Sequence, residues 1–318
     1  MKILAVGDLH GRKPKIHFKD FDAIICIGDV CSDKGFRRLK NLWVKYLEEN
    51  PDQPLSDDEF YIMNVGKKKV KELYKESLIE GRKIMEYLNS FGKPIFMTHG
   101  NWDQSYGETR IKNMEAGKYS YYKAFLDFWA GEKINPVLIK GLKNVISVQF
   151  KLHKFRGYNI LGYGLSSNAE DPFVKMKKGR RKIRRYSKEE VKKLKRAYAK
   201  ILKKLDNVYN KKDKKYPTIF LTHNVPYNTK IDLLNNRESK HHGKHFGSSV
   251  ARWFCDKYQP LLCIGGHMHE HFGKDKIGKT VVVNVGFGSY VNTLIELDEG
   301  KIKKIDFWDG KKKYRIKR

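Results

Sequence analysis

Nine short apolar runs, many of them rich in Ile and Val, restrict the folds open to this 318-residue chain. Several are apolar at every position, which is typical of strands buried on both faces rather than of a sheet with one face in water. Helical patterns separate some of the runs, so the order of elements predicts a layered α/β fold. The predicted strands are residues 3–6, 22–27, 94–98, 145–150, 158–163, 218–222, 261–265, 281–285 and 292–297.

Two segments carry signals for the start of a helix. Ser56 followed by Glu59 is a capping-box pattern, and it predicts a helix that continues towards Leu88. Ser187 and Glu190 form a second capping-box pattern, after which apolar residues recur with a period of 3.6. The residues that show this period are Val191, Leu194, Tyr198, Ile201, Leu205 and Val208.

Positive charge is concentrated in one part of the chain. The whole sequence holds 66 Lys or Arg against 36 Asp or Glu, and residues 174–215 alone hold 20 against four. We interpret 174–215 as a basic helical insertion in a single domain, 1–318, that ends in a basic C-terminal tail, 301–318. Such charge favours nucleic acid as a partner, because phosphate contacts supply most non-specific affinity. A solvated surface is the alternative interpretation.

Other features concern the cellular context. The first residues lack the long apolar segment of a signal peptide, and no run approaches the roughly 18 apolar residues of a membrane span. The four cysteines show no C-x-x-C spacing and are expected to be reduced thiols. We therefore expect a cytoplasmic protein without a membrane partner. The cysteines are Cys26, Cys31, Cys255 and Cys263.

Five of the nine apolar runs end in Asp, His or Asn beside Gly. Each motif alone is a weak signal, but sites in α/β sheets collect beyond the carboxyl ends of strands, so five such ends predict one polar cleft. The residues are Asp8 and His10 after the first run, Asp29 after the second, His99, Asn101 and Asp103 after the third, His223 after the sixth, and His267 and His269 after the seventh.

The residue types in this cleft predict a metal centre. Imidazole and oxygen ligands without a usable thiolate suit Mn, Fe, Zn, Co or Ni. About seven ligands exceed the three or four of a mononuclear zinc site. They suit two ions about 3.5–4 Å apart, an arrangement that acts on phosphoryl centres.

The five motifs, in this order, resemble the signature of the calcineurin-like metallophosphoesterases. They are Asp8-x-His10, Gly28-Asp29, Gly100-Asn101-x-Asp103, His223 and Gly266-His267-x-His269. The resemblance implies an α/β fold, a four-layer αββα sandwich of two mixed β-sheets flanked by helices. It also implies two divalent metal ions, with manganese expected first. By the resemblance, one ion is held by Asp8, His10 and His269, the other by Asn101, His223 and His267, and Asp29 bridges them through both carboxylate oxygens.

The activity implied is hydrolysis of phosphodiester bonds, with nucleic acid or nucleotides as candidate substrates, through attack of a metal-bridging hydroxide. The expected catalytic residues are Asp29, Asn101, Asp103 and His99. One alternative is a phosphomonoesterase such as a serine/threonine protein phosphatase, since G-D-L-H-G matches the first motif of those enzymes. The other alternative is a metal-binding scaffold without catalysis.

Trp102 departs from the family pattern, which has His at this position as the proton donor to the departing oxygen. Indole cannot act as a general acid near neutral pH, and losing such a group costs about 10²–10⁴-fold for poor leaving groups. His99 is the nearest substitute. A second possible role for Trp102 is to stack against a base. Other candidate donors are His241, His242, His245 and His271.

Overall fold

The computed structural model describes residues 1–50, 55–103, 134–164, 170, 188–235, 241–311 and 313–315. Within them, thirteen strands form two mixed sheets. The first sheet has the order β13 (Lys313–Arg315), β12 (Lys301–Trp308), β11 (Asn292–Asp298), β1 (Lys2–Val6), β2 (Ala23–Cys26), β3 (Ile95–Met97) and β4 (Val145–Ser147). The second has the order β5 (Leu152–Phe155), β6 (Tyr158–Tyr163), β7 (Thr218–Asn224), β8 (Leu262–Gly266), β10 (Thr280–Asn284) and β9 (Gly273–Ile277).

Helices cover the outer faces of both sheets. The helices in the described residues are α1 (Arg37–Glu49), preceded by a 3₁₀ turn (Lys34–Phe36), α2 (Asp57–Val65), α3 (Lys67–Asn89), α4 (Pro136–Ile139), α5 (Lys188–Tyr209) and α6 (Ser249–Tyr258). Helices α3 and α4 pack on the first sheet, and α5 and α6 pack on the second. None of these helices is long and apolar enough to cross a membrane.

The uniformly apolar strands are buried because each of their faces meets a different layer. In β1, Ile3 and Ala5 pack against the second sheet, whereas Leu4 and Val6 pack against the helical layer. The same alternation holds in β7, where Leu221 faces the first sheet and Phe220 faces α5 and α6. The predicted four-layer sandwich of two mixed sheets is confirmed.

All nine predicted runs contain a strand, but four further strands were not predicted. The unpredicted strands are short or rich in lysine, as in K-I-K-K-I-D-F-W of β12, so they lack an apolar run. Strand β12 pairs with β11 along its length and with β13 at its end. The prediction that 301–318 is a tail is therefore wrong for residues 301–308 and 313–315.

The helix predicted from Ser56 towards Leu88 is two helices. The capping box is present, because Ser56 Oγ accepts the Glu59 N–H at 3.2 Å and Glu59 Oε2 accepts the Ser56 N–H at 2.8 Å. Gly66 then ends α2 and begins α3 with φ of +79° and ψ of 151°, a conformation that excludes other residue types without strain. The prediction of one continuous helix was wrong because of this glycine.

Helix α5 is a structural layer of the sandwich rather than an insertion. It connects β6 and β7, which are parallel neighbours, and such neighbours require a crossover that usually contains a helix. Leu194, Ile201 and Leu205 bury its apolar stripe against the second sheet. The interpretation of 188–209 as an insertion is thus corrected, and residues 171–187, including the Ser187 cap, lie outside the described residues.

Candidate metal centre

The predicted ligands come together in two overlapping groups. Ligand atoms of Asp8, Asp29, His223 and His267 lie within 4.8 Å of one another. Asp8 forms a second such group with His10 and His269. Asn101 joins the first group through its Oδ1, which lies 2.8 Å from His223 Nε2. All seven side chains therefore converge, because β1, β2 and β3 in one sheet and β7 and β8 in the other deliver them.

The strand ends that carry these side chains adopt an uncommon backbone conformation. Asp8, His10, Asp29 and His267 have φ values of 51°, 46°, 52° and 69°. Non-glycine residues in this left-handed region are uncommon, and they cluster at functional sites where surrounding structure maintains them. These four residues lie just after β1, β2 and β8, so the uncommon backbone occurs where the strands bring the predicted ligands together.

Two glycines allow the backbones to approach the carboxylates. A Cβ at Gly100 would overlap Asp29 Oδ1, and a Cβ at Gly266 would overlap Asp8 Oδ2. The second approach is stabilised by a hydrogen bond, since His267 N–H donates to Asp8 Oδ2 at 2.7 Å. Glycine beside the ligands is thus a packing requirement of the site.

Asp29 lies between the two ligand groups. Its Oδ2 is 3.7 Å from His10 Nε2 and 3.5 Å from His223 Nε2, whereas its Oδ1 accepts the Trp102 backbone N–H at 2.7 Å. A single oxygen therefore faces both groups, which differs from the expectation that both oxygens are used. Burial, followed by the charges of Asp103 and Asp8, raises the pKa of Asp29 well above its usual range. Such a buried carboxylate is best compensated by a nearby cation.

The nitrogen donors also fit divalent ions. Because a carbonyl oxygen only accepts, His223 Nδ1 donates to Ile27 O at 2.9 Å, and Nε2 of the same ring faces Asn101 Oδ1. Burial lowers the pKa of His10 to about 4 and that of His267 well below its ordinary value. Both rings are then neutral at pH 7, the state that a metal ligand requires. Among the described residues, buried His267 Nδ1 has no hydrogen-bond partner, and Asp8 Oδ1 lies 3.3 Å from His269 Nε2.

Asp103 and His99, two of the predicted catalytic residues, lie behind the ligands. Asp103 is fully buried, and its Oδ1 accepts the N–H groups of Val30 and Cys31 at 2.8 and 3.0 Å. Its Oδ2 accepts the Gly100 N–H at 2.9 Å, so it joins the loop of Asp29 to the loop of Asn101. Burial lowers the pKa of His99 to about 3. The geometry therefore supports positioning by Asp103, and it does not favour proton donation by His99.

The remaining candidate donors lie outside both ligand groups. His245 Nδ1 pairs with buried Asp232 at 2.7 Å, and His271 Nε2 donates to Leu233 O at 2.6 Å. The ring of His241 packs against Phe246, and His242 is exposed.

Trp102 fills the space between the ligands and helix α1. Its ring centroid is 6.4 Å from that of His10, in an edge-on arrangement, and 5.7 Å from that of Phe36. Lys40 Nζ lies over the ring, 5.7 Å from its centroid. A base that stacked on Trp102 would have to share the ring with Phe36 and Lys40.

Two aromatic residues beside the ligands were not found from the sequence. Phe287 has its ring centroid 5.0 Å from that of His269, and Tyr290 stacks on Phe287 at 5.5 Å. They follow the strand β10 in the segment V-G-F-G-S-Y. This segment has glycines after an apolar run, as the predicted site motifs do, but it has no Asp, His or Asn beside them, so its sequence does not predict a site.

Known proteins resemble this chain in sequence and in fold. A family model described as calcineurin-like phosphoesterase matches residues 1–271. One crystal structure aligns over 96% of this chain and 98% of its own, with a TM-score of 0.55 and 16% identity, which shows a shared fold. TT1561 of Thermus thermophilus aligns over 98% and 99%, with a TM-score of 0.41 and 15% identity. The sulfate thiohydrolase SoxB of Thermus thermophilus aligns over 96% of this chain and 56% of its own, with a TM-score of 0.37 and 11% identity. A search of curated proteins finds no match.

Proposed function

Because this chain belongs to the calcineurin-like phosphoesterase family, we propose that it is a phosphodiesterase that acts on nucleic acid or nucleotides. Members of the family are phosphoric ester hydrolases with a dinuclear divalent metal centre, and this protein is a metal-dependent phosphoesterase. The preference for diesters and the choice of substrate are our proposals.

The observation that carries the preference for diesters is the environment of Trp102. The indole has no acidic proton to give near neutral pH, and the neighbouring His99 is buried with its pKa lowered to about 3. Monoester hydrolysis passes through a loose transition state with much charge on the departing oxygen, so it depends strongly on a proton donor. A diester reacts through a tighter transition state with less charge on the departing oxygen, so it loses less when no proton donor is present.

The seven side chains are proposed to hold two ions in the arrangement implied by the resemblance. Asp29 Oδ2 lies between the two groups, which supports its assignment as the bridge. Two divalent ions, when bound, would neutralise charge on the phosphoryl oxygens and lower the pKa of the attacking water. We propose manganese, with iron, zinc, cobalt or nickel as alternatives that suit the same donors. Asp103 keeps the loops of Asp29 and Asn101 in register.

Nucleic acid is proposed as the partner because of charge. The net charge of the chain is +30, and helix α5 carries exposed cations on one side. Residues three or four apart lie on the same face of a helix, so these cations form a stripe, which we call the α5 stripe. Its members are Lys192, Arg196, Lys200 and Lys203.

The proposed function can be tested with protein loaded with Mn²⁺. We expect a higher kcat/KM for bis(nitrophenyl) phosphate than for nitrophenyl phosphate, together with cleavage of single-stranded RNA or DNA. Asp29→Asn should lose activity and metal, whereas Asp20→Asn, an exposed position paired with Lys2, is the matched control. Faster turnover of the monoester would contradict the diester preference. Two ions per chain without turnover of any ester would instead support the scaffold alternative.

A further inference from the structure

An aromatic pair lies directly beside the metal ligands. The ring of Phe287 is nearly parallel to that of His10, with 6.0 Å between centroids, and it also contacts His269. Tyr290 stacks on Phe287 with an angle of 27° between the rings, and 63% of Tyr290 is exposed. We call Phe287 and Tyr290 the aromatic platform. Exposed aromatic surface that adjoins a polar cleft can mark a ligand-binding site.

The loop that carries the platform is held firmly against the end of β1. Gly288 N–H donates to Gly7 O at 2.8 Å, directly before the ligand Asp8. A Cβ at Gly288 would overlap Gly7 O, so this close approach requires glycine. The N–H groups of Tyr290 and Val291 both donate to Phe287 O at 2.9 Å. The platform therefore has a defined position relative to the ligands.

One arginine lies beside the platform. The guanidinium carbon of Arg12 lies 5.0 Å from the centroid of Phe287. Arginine beside an aromatic ring is the combination that binds a phosphate next to a stacked base.

We propose that the aromatic platform is a base-binding subsite, on which a nucleobase adjoining the scissile phosphate stacks against Tyr290 while Arg12 contacts a neighbouring phosphate. The proposal rests on the proposed function and makes its substrate class nucleotide-containing diesters. A nucleoside suits this geometry because the platform adjoins the ligands, so a ring that stacks there must be joined to the phosphorus by a short linker. Stacking tolerates any base, so the subsite selects nucleotides without selecting their sequence.

Two diesters with the same leaving group test the subsite. The nitrophenyl ester of thymidine 5′-monophosphate and ethyl nitrophenyl phosphate have the same charge and differ in the nucleoside. Tyr290→Ala should raise KM about tenfold for the thymidine ester, with little change in kcat and no change for the ethyl ester. Tyr290→Phe should behave like the unmodified protein, because it retains the ring.

The matched control is Tyr216→Ala, which removes another tyrosine, 40% exposed. Tyr216 precedes the first residue of β7, at the end of the strand far from His223. It should leave both substrates unaffected. An equal rise of KM on both substrates, or no rise on either, would overturn the subsite and leave the platform as packing for His10 and His269.

Binding of the product separates failure of the subsite from failure of the proposed function. In calorimetric titrations of the Mn²⁺-loaded protein, thymidine 5′-monophosphate should bind more tightly than ethyl phosphate, and Tyr290→Ala should remove the difference. Equal affinity of the unmodified protein and Tyr290→Ala for thymidine 5′-monophosphate would overturn the subsite even if neither ester were cleaved. Absence of cleavage with the titration result intact would overturn the proposed activity alone.

Discussion

At the residue scale, Trp102 is the side chain that we propose limits proton donation to a departing oxygen. Trp102 donates its backbone N–H to Asp29 and packs its ring between His10 and Phe36. Any residue except proline can make the backbone hydrogen bond. The side-chain ring, by contrast, decides the packing and whether a proton can be donated. The two functions of this position can therefore be separated by substitution.

Trp102→His should speed hydrolysis of poor leaving groups. We expect a gain of about tenfold in kcat for an alkyl phosphoester, equal to about 1.4 kcal/mol of barrier, and little change for nitrophenyl esters. The variant should also lose about 1–3 kcal/mol of stability, because the smaller ring leaves space beside Phe36. Steady-state kinetics against leaving-group pKa checks the first effect, and urea unfolding checks the second. Trp102→Phe, which has no acidic proton, is the control, and an equal gain in it would exclude proton donation.

His99 should make stability depend on pH. Its pKa is lowered by burial to about 3, below the usual 6.5, so the neutral ring stabilises the fold fully above pH 6.5. That contribution is lost as pH falls from about 6.5 towards 3, with a slope of up to about 1.4 kcal/mol per pH unit. Between pH 7 and pH 5, the protein should lose about 2 kcal/mol more than His99→Gln in urea unfolding. The exposed His242→Gln should follow the unmodified protein, and identical pH dependence in all three would refute the argument.

At the scale of elements, the ends of the strands carry the function. Strands β2 and β3 are parallel neighbours, so the turns that follow them lie side by side, and Gly100 allows the second turn to approach Asp29. The helices show the same local control, since Gly66 divides α2 from α3. Single glycines therefore decide where an element ends and how closely the next one approaches.

Gly100→Ala should disable the centre without changing any ligand. The added Cβ would overlap Asp29 Oδ1 and force this carboxylate, the proposed bridge, to move. A displacement near 1 Å costs about 100-fold in rate, so we expect at least that loss, with fewer than two ions bound per chain. Metal analysis and kinetics measure both effects. Gly92→Ala, where a Cβ meets open space, should retain metal and activity, although its φ of +65° costs some stability. Full metal content in Gly100→Ala would show that the approach is not required.

At the scale of the whole molecule, helix α5 has two opposite sides, one that packs in the sandwich and one that carries positive charge. Helix α5 buries Leu194, Ile201 and Leu205 on the second sheet and directs the α5 stripe outward. Its apolar side is needed for the fold, so only the outer side can be changed without loss of structure. This separation makes the proposed contact with nucleic acid testable.

Replacing Lys192, Lys200 and Lys203 by Gln should weaken binding of single-stranded nucleic acid. Each lost phosphate contact should reduce the slope of log K against log salt concentration by about 0.7 for single strands. The control replaces Lys68, Lys71 and Lys75, three exposed lysines of α3, by Gln and removes the same charge. Filter binding at several salt concentrations compares the variants. Equal slopes in both would show that net charge, rather than the α5 stripe, governs the affinity.

The sequence by itself predicted which side chains come together at the candidate metal centre and which layers deliver them. Both depend on local pattern, since uniformly apolar runs must be buried on both faces and polar residues directly after parallel strands must meet at one edge. Asp8, Asp29 and His223 could therefore be predicted as neighbours although more than 200 residues separate the first from the last, and the structure brings their ligand atoms together.

Only the tertiary structure decided features that depend on contacts between distant segments. That Asp29 faces both ligand groups with one oxygen depends on the turn after β3, where Trp102 occupies the other oxygen. Helix α5 is a crossover helix because β6 pairs with β7. Phe287 lies against His10 because two loops nearly 280 residues apart in the chain approach each other. No local pattern encodes these contacts, because each is fixed by which surfaces pack together once the sheets have formed.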